Sequence, residues 1–120
     1  MKIRLISTMA SVAAVVGLLN SPLALSAAHG AKVAEGKKVA FDRKKGNCLS
    51  CHAIAGGQAA GNLGPPLVAM KARFPDKQAL RAQIWDATNR NPATPMPPFG
   101  KHNILSDKEI DLVTEFIHSL

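Results

Sequence analysis

The chain has 120 residues with 15 lysines and arginines against 8 aspartates and glutamates, a formal charge of +7. That length suits one small domain and is too short for two. One tryptophan, no tyrosine and no aromatics interleaved among the basic residues argue against nucleic-acid binding, so the charge points to docking an acidic protein partner.

Met1-Lys2-Ile3-Arg4 gives a positively charged start, and Leu5 to Leu19 is mostly apolar with no further charge. This pattern predicts a secretory signal peptide over residues 1–28, cut after Ala28 or alternatively after Ser26, and therefore a periplasmic protein. An uncleaved membrane anchor is the competing reading. Ser7, Thr8, Ser11 and Asn20 interrupt the apolar run, which is short for a span of about 20 residues. Loss of Lys2 and Arg4 lowers the formal charge to +5 and leaves residues 29–120 as the single folded domain.

Ala31 to Lys45 is predicted helical, because Val33, Gly36, Val39 and Ala40 recur at helical spacing while Lys37, Lys38, Arg43, Lys44 and Lys45 fall outside that stripe. Gly36 lowers helix propensity, so it marks either a close contact with another helix or a glycine tolerated near a frayed end. The basic residues form either a docking surface or a solvated helix face. Gly46 and Asn47 supply the stop.

Next comes Cys48-Leu49-Ser50-Cys51-His52, where both cysteines of the chain lie. The pattern C-x-x-C-H is that of covalent c-type haem attachment. Each thiol adds to one haem vinyl group, and the adjoining histidine ligates the iron. A thioredoxin-like pair needs a βαβ context, a zinc site needs a second ligand pair, and a plain disulfide gives no role to His52. An exported chain is the compartment that such cysteines require. At this size an all-protein core is thin, so the haem-free chain is expected to be largely unfolded.

Residues 55–64 are small, polar and glycine-rich, and read as loop without phosphate-binding spacing. Pro65, in Gly64-Pro65-Pro66-Leu67, either aims its carbonyl at Nδ1–H of His52 or serves as a stiff turn. Leu67 to Arg73 is predicted to form a short helix carrying Met70. A second helix, N-capped by Asp76, is expected to run to about Ala87, with Leu80, Ile84 and Ala87 on one face. Trp85 either packs in the core or reaches a haem propionate through its indole N–H. Helix is excluded between Thr88 and Gly100 by Pro92, Pro95, Pro97 and Pro98, which stiffen the segment around Met96. Ser106-Asp107-Lys108-Glu109 fits a capping box opening a last helix, with Ile110, Val113, Phe116, Ile117 and Leu120 as its apolar stripe, expected to pack on the first. The fold class is all-α, a small cytochrome c-like domain with three to five helices around one covalently bound haem c.

An electron-transfer haem needs a second axial ligand, and methionine opposite histidine raises the reduction potential. Met96, on the stiffened loop 44 residues after His52, is favoured over Met70, which suits a core filler on a helix. His102 is the rival ligand. His29 falls at the mature terminus and His118 near a helix end.

Four stretches carry a narrower likeness: Ala40-Phe41-Asp42-Arg43-Lys44-Lys45-Gly46-Asn47-Cys48, Gly61 to Leu67, Ile84-Trp85-Asp86-Ala87-Thr88, and Asn91 to Gly100 with its Met96-Pro97-Pro98-Phe99-Gly100 end. With these the chain resembles the SoxX family, monohaem c-type cytochrome subunits of the SoxAX complex of bacterial sulfur oxidation. The resemblance implies a haem linked through Cys48 and Cys51, with axial ligands His52 and Met96. It implies a heterodimer with a SoxA-like cytochrome subunit that joins thiosulfate oxidatively to a cysteine of a SoxYZ-type carrier. Electrons then pass through this subunit to a small soluble cytochrome c. In that family the sulfur chemistry belongs to the partner's haem, so the enzyme, of L-cysteine S-thiosulfotransferase type, takes no catalytic residue from this chain. The alternatives are a free-standing monohaem carrier of a respiratory chain and, more remotely, a haem catalyst or gas sensor with an open iron position.

Overall fold

The computed structural model describes residues 22–120, and residues 1–21 of the predicted signal peptide lie outside the described residues. Four α-helices follow in order: α1 (Pro22–Phe41), α2 (Met70–Arg73), α3 (Lys77–Trp85) and α4 (Asp107–His118). Single 3-10 turns occupy Cys48–Ser50 and Ala87–Asn89, and no strand occurs among the described residues. The expected all-α architecture is present.

The first helix starts nine residues earlier than its periodicity predicts and ends four residues sooner. Pro22 suits a first helical position, and the alanine- and leucine-rich run behind it favours helix without needing a partner. Residues 23–32 are accordingly exposed, and packing begins at Val33. The early stop comes from Asp42. Its carboxylate accepts from Lys44 N–H at 2.8 Å and its carbonyl accepts from the N–H groups of Lys45 and Asn47 at 3.0 Å, turning the chain. Asn47 follows in the left-handed region, φ 46°.

α4 is the central element. Its capping box is complete: Ser106 Oγ accepts from Glu109 N–H at 3.3 Å, and the Glu109 carboxylate accepts from Ser106 N–H at 3.0 Å. Lys45 is paired with the same carboxylate, which ties the turn after α1 to the start of α4. Ile110, Val113, Phe116 and Ile117 are buried as the stripe predicts, and Leu120 is half-buried. α1 makes its main packing contact with α4. The two helices cross at Gly36, where a Cβ would lie 1.9 Å from the Leu112 carbonyl oxygen and 2.9 Å from Phe116 Cβ. Gly36 is therefore the close contact and not a frayed-end glycine. Beside it Phe41 meets Phe116 edge to face, centroids 5.8 Å apart.

α3 lies on another side of α4, with Leu80 and Ile84 buried between them. Asp76 caps it, accepting from Gln78 N–H at 2.9 Å. The ion pairs Lys77–Glu115 and Arg81 to Asp107 and Asp111 fringe this contact, and being partly exposed they add little stability. α3 ends at Trp85, two residues before the expected stop, because Asp86 turns extended and caps the 3-10 turn instead. α2 is shorter than the predicted helix over residues 67–73. Leu67 N–H is engaged by the Ala53 carbonyl at 2.9 Å, and Ala69 is left-handed at φ 50°, so helix begins only at Met70.

Candidate functional site

The 3-10 turn at Cys48–Ser50 shapes the C-x-x-C-H segment. His52 N–H and Cys51 N–H both donate to the Cys48 carbonyl, at 2.9 and 3.2 Å, and Ser50 Oγ donates to the Asn47 carbonyl at 2.8 Å. The glycine-rich segment that reads from sequence as plain loop is folded back onto this turn. Gly61 N–H donates to the Leu49 carbonyl and Gly64 N–H to the Cys51 carbonyl, each at 2.8 Å. Gly64 also lies against the His52 ring, where a Cβ would come within 2.4 Å of Cε1. No larger residue leaves the imidazole in place.

Pro65 O stands 2.7 Å from His52 Nδ1. A carbonyl only accepts, so Nδ1 carries the proton and Nε2 keeps its lone pair for a metal. Arg73 anchors the neighbouring residue, donating from Nη1 to the Pro66 carbonyl at 2.8 Å. The loop that orients His52 is thus tied down from behind.

His52, Cys48, Cys51 and Met96 all line one cavity of about 770 Å³. Leu67, Met70, Leu80, Ile84, Phe99 and Ile117 give it apolar walls, and Arg43, Lys44, Lys45, Arg73 and Arg90 stand on its lining, where no acidic residue joins them. Cavities of this size take cofactor-sized ligands. Gln83, also on the wall, has a buried Oε1 with no hydrogen-bond partner among the described residues. Buried polar atoms are seldom left so, and its amide offers a donor or acceptor to whatever fills the space. The donor set fits a haem: two thiols for the vinyl groups, an imidazole and a thioether for iron, apolar walls for the macrocycle and guanidinium groups for its carboxylates.

The other sequence candidates separate cleanly. Met70 reaches the cavity but is 2% exposed, and its sulfur already accepts from Arg73 Nη1 at 3.4 Å. His102 is exposed and off the cavity wall. His29 lies 3.5 Å from Glu115, and His118 Nε2 is 3.1 Å from the Phe74 carbonyl. Trp85 faces away from the cavity, packed under the Arg81 guanidinium at 5.5 Å, so its role is packing. Lys37 and Lys38 have partners within the chain, over the Phe41 ring and on Glu35, whereas Arg43, Lys44 and Lys45 line the cavity, Lys45 also paired with Glu109. Gly64, Gln83 and Arg90 are site residues that sequence reading passes over. For Gly64 the signal was present, a glycine directly before the proline pair.

Burial pushes the Cys48 thiol up to about 11. That is the reverse of the shift that activates a redox thiol. No group of three or more His, Cys, Asp or Glu side chains is placed to hold a metal among the described residues, which leaves the zinc reading without ligands.

An all-α domain that gathers a C-x-x-C-H turn and a methionine-bearing loop around one apolar cavity defines a protein built to enclose a tethered haem. Residues 33–120 match the Cytochrome c family, and the chain belongs to it. Membership carries covalently bound haem c and electron transfer, with Cys48 and Cys51 at the spacing of the attachment motif. A further similarity is to an uncharacterized lipoprotein of Aquifex aeolicus (strain VF5), 32% identical over 78 residues, covering 62% of this chain. The chain spans 37% of that protein's length.

Proposed function

We propose that this chain is an extracytoplasmic six-coordinate electron relay in which His52 and Met96 ligate the haem iron, working as the small haem subunit of a SoxAX-type thiosulfate-oxidising complex. The observation that carries the ligand assignment is one shared cavity. It brings Cys48, Cys51, His52 and Met96 to one lining, while His29, His102 and His118 lie elsewhere and Met70, on the same lining, has its sulfur engaged by Arg73. Haem iron supplies the one-electron chemistry when bound, and the protein supplies the rest. Pro65 and Gly64 fix the His52 ring, the apolar walls exclude water, and Arg73 and Arg90 offer charge to the carboxylates. Both cysteines of the chain are committed to the cofactor, leaving no thiol for sulfur transfer. That suits an electron-transfer subunit whose partner performs the sulfur chemistry.

The step from relay to sulfur oxidation rests on the Trp85-Asp86-Ala87-Thr88 and Met96-Pro97-Pro98-Phe99-Gly100 stretches. The compartment is supported by haem attachment and by a relative described as a lipoprotein. No helix among the described residues is long and apolar enough to cross a membrane. Two experiments test the proposal. The sulfur-to-iron charge-transfer band of the ferric protein should vanish in Met96→Ala and persist in Met70→Ala, and the reverse pattern overturns the ligand assignment. Purified from its native periplasm, the protein should co-elute with a second haem subunit. A monomer that never does so is a free-standing respiratory carrier.

A further inference from the structure

The segment bearing Met96 has few fastenings of its own. Its inner hydrogen bonds are local, Ala93 N–H to Asn91 Oδ1, Thr94 N–H to the Asn91 carbonyl and Met96 N–H to Thr94 Oγ1. Four prolines remove further donors from it. Phe99 seats its later part in the core, with its carbonyl accepting from Ile104 N–H at 2.9 Å and Leu105 N–H at 3.0 Å, and the two ends of the segment meet one carboxylate. Asp86 Oδ1 accepts from the backbone N–H of Thr88 at 3.0 Å and from the Thr88 hydroxyl. Asp86 Oδ2 accepts from Lys101 Nζ at 2.8 Å. Just beside it the Trp85 carbonyl accepts from Gly100 N–H at 3.0 Å and Lys101 N–H at 3.3 Å. Gly100 lies so close under the indole that a Cβ would be 2.1 Å from Trp85 Cε3.

Asp86 is 4% exposed, and a carboxylate so enclosed persists only when paired. A solvent-facing N-cap has no need of that depth, nor of a lysine 15 residues away. Proline stiffening completes the arrangement: with little internal slack, holding residues 88 and 101 together, beside the buried Phe99, fixes Met96 between them.

We propose that Asp86, with Lys101, is a positioning residue that clasps both ends of the 88–101 loop and thereby holds the Met96 thioether at the cavity. The proposal rests on Met96 being the iron ligand. Releasing the clasp lets the loop leave more readily, so an added ligand competes better for the site.

The test uses the haem-loaded ferric protein and imidazole as the competing ligand. Asp86→Ala is expected to tighten apparent imidazole affinity by roughly tenfold. Asp86→Asn keeps an acceptor for Thr88 and drops the ion pair, and Lys101→Met drops it from the other side; both should fall between Asp86→Ala and wild type. Should Asp86→Ala fail to fold, these two carry the test. Val113→Ala, a core truncation on α4, should lower the unfolding midpoint yet leave imidazole affinity within about twofold. A merely structural Asp86 would behave as Val113→Ala does, and that result overturns the clasp while the charge-transfer band, lost in Met96→Ala, still upholds the ligand. A band that survives Met96→Ala overturns the ligand assignment, and the clasp with it.

Discussion

Gly36→Ala provides the sharpest test of how the two long helices meet. Helix propensity alone favours the change by about 1 kcal/mol, since glycine is the costlier residue in a helix interior. The structure reverses that sign. The new Cβ would sit 1.9 Å from the Leu112 carbonyl oxygen and 2.6 Å from its carbon. Carbon–oxygen contacts settle at roughly 3.3 Å or more, so α1 and α4 must part by about 1.4 Å. Backbone atoms cannot rotate away as a side-chain tip would. A gap of that size forfeits half or more of the dispersion energy around the crossing, where Ala40, Val113 and Phe116 are buried. An overpacking cost near 3 kcal/mol, less the propensity gain, leaves a net loss of about 2 kcal/mol. For a domain this small that lowers the thermal midpoint by roughly 10 °C. Circular dichroism of the haem-loaded protein measures it, with Gly30→Ala as the control. Gly30 is on the same helix with nothing among the described residues within 4 Å of its would-be Cβ, so that change should be neutral or slightly stabilising. If the two substitutions shift the midpoint alike, the helices are not in backbone contact and the reasoning fails.

Gly64→Ala should displace the His52 ring from its 2.7 Å bond to Pro65 O, lower the basicity of the imidazole and move the reduction potential upward in a potentiometric titration. Glu109→Gln should cost about 1 kcal/mol at neutral pH, read by urea unfolding, after allowing for solvent screening. The Glu109 carboxyl is held down at about 2, against an ordinary 4.5, first by its hydrogen bond from Lys45 and then by Ser106 N–H. Its contribution is thus complete above pH 4.5 and lost as the pH falls towards 2, where variant and wild type should converge. Removing the haem should abolish most helical ellipticity. Without its occupant the cavity of about 770 Å³ turns its apolar walls to water, in a domain whose own core is too small to offset that loss. Native-like helix content in the haem-free chain would refute this.

What the sequence announces here is what depends on neighbours a few residues apart. The Ser106 capping box, the Asp76 cap, the apolar stripe from Ile110 to Ile117 and the proline-stiffened loop are all local patterns, and each is found in the structure. The attachment motif was equally plain. α1 ends at Phe41 and not at Lys45 because Gly46 and Asn47 are the stop legible in the sequence, whereas the competing hydrogen bonds of Asp42 end the helix sooner. The role of Gly64 against His52 comes from a loop folding back over 12 residues, which no periodic pattern records. Asp86 reads as an ordinary polar residue until its pairing with Lys101 appears, and Gln83 until its burial does. Long-range pairs and orphaned atoms belong to the fold, and they are where the site's fine positioning lies.

The packing of Gly64 and Pro65 around His52 also bears on speed. Moving an electron costs the energy of rearranging whatever shifts when the charge changes. An imidazole pressed by Gly64 on its ring and held at Nδ1 by a carbonyl 2.7 Å away, on a loop itself anchored through Arg73, has little room to shift. Dipoles already in place need no reorientation at the moment of transfer. The glycine that looks like slack in the sequence is thus a source of stiffness, and with His52 as the proposed iron ligand that stiffness favours a small nuclear contribution to the transfer barrier in both directions.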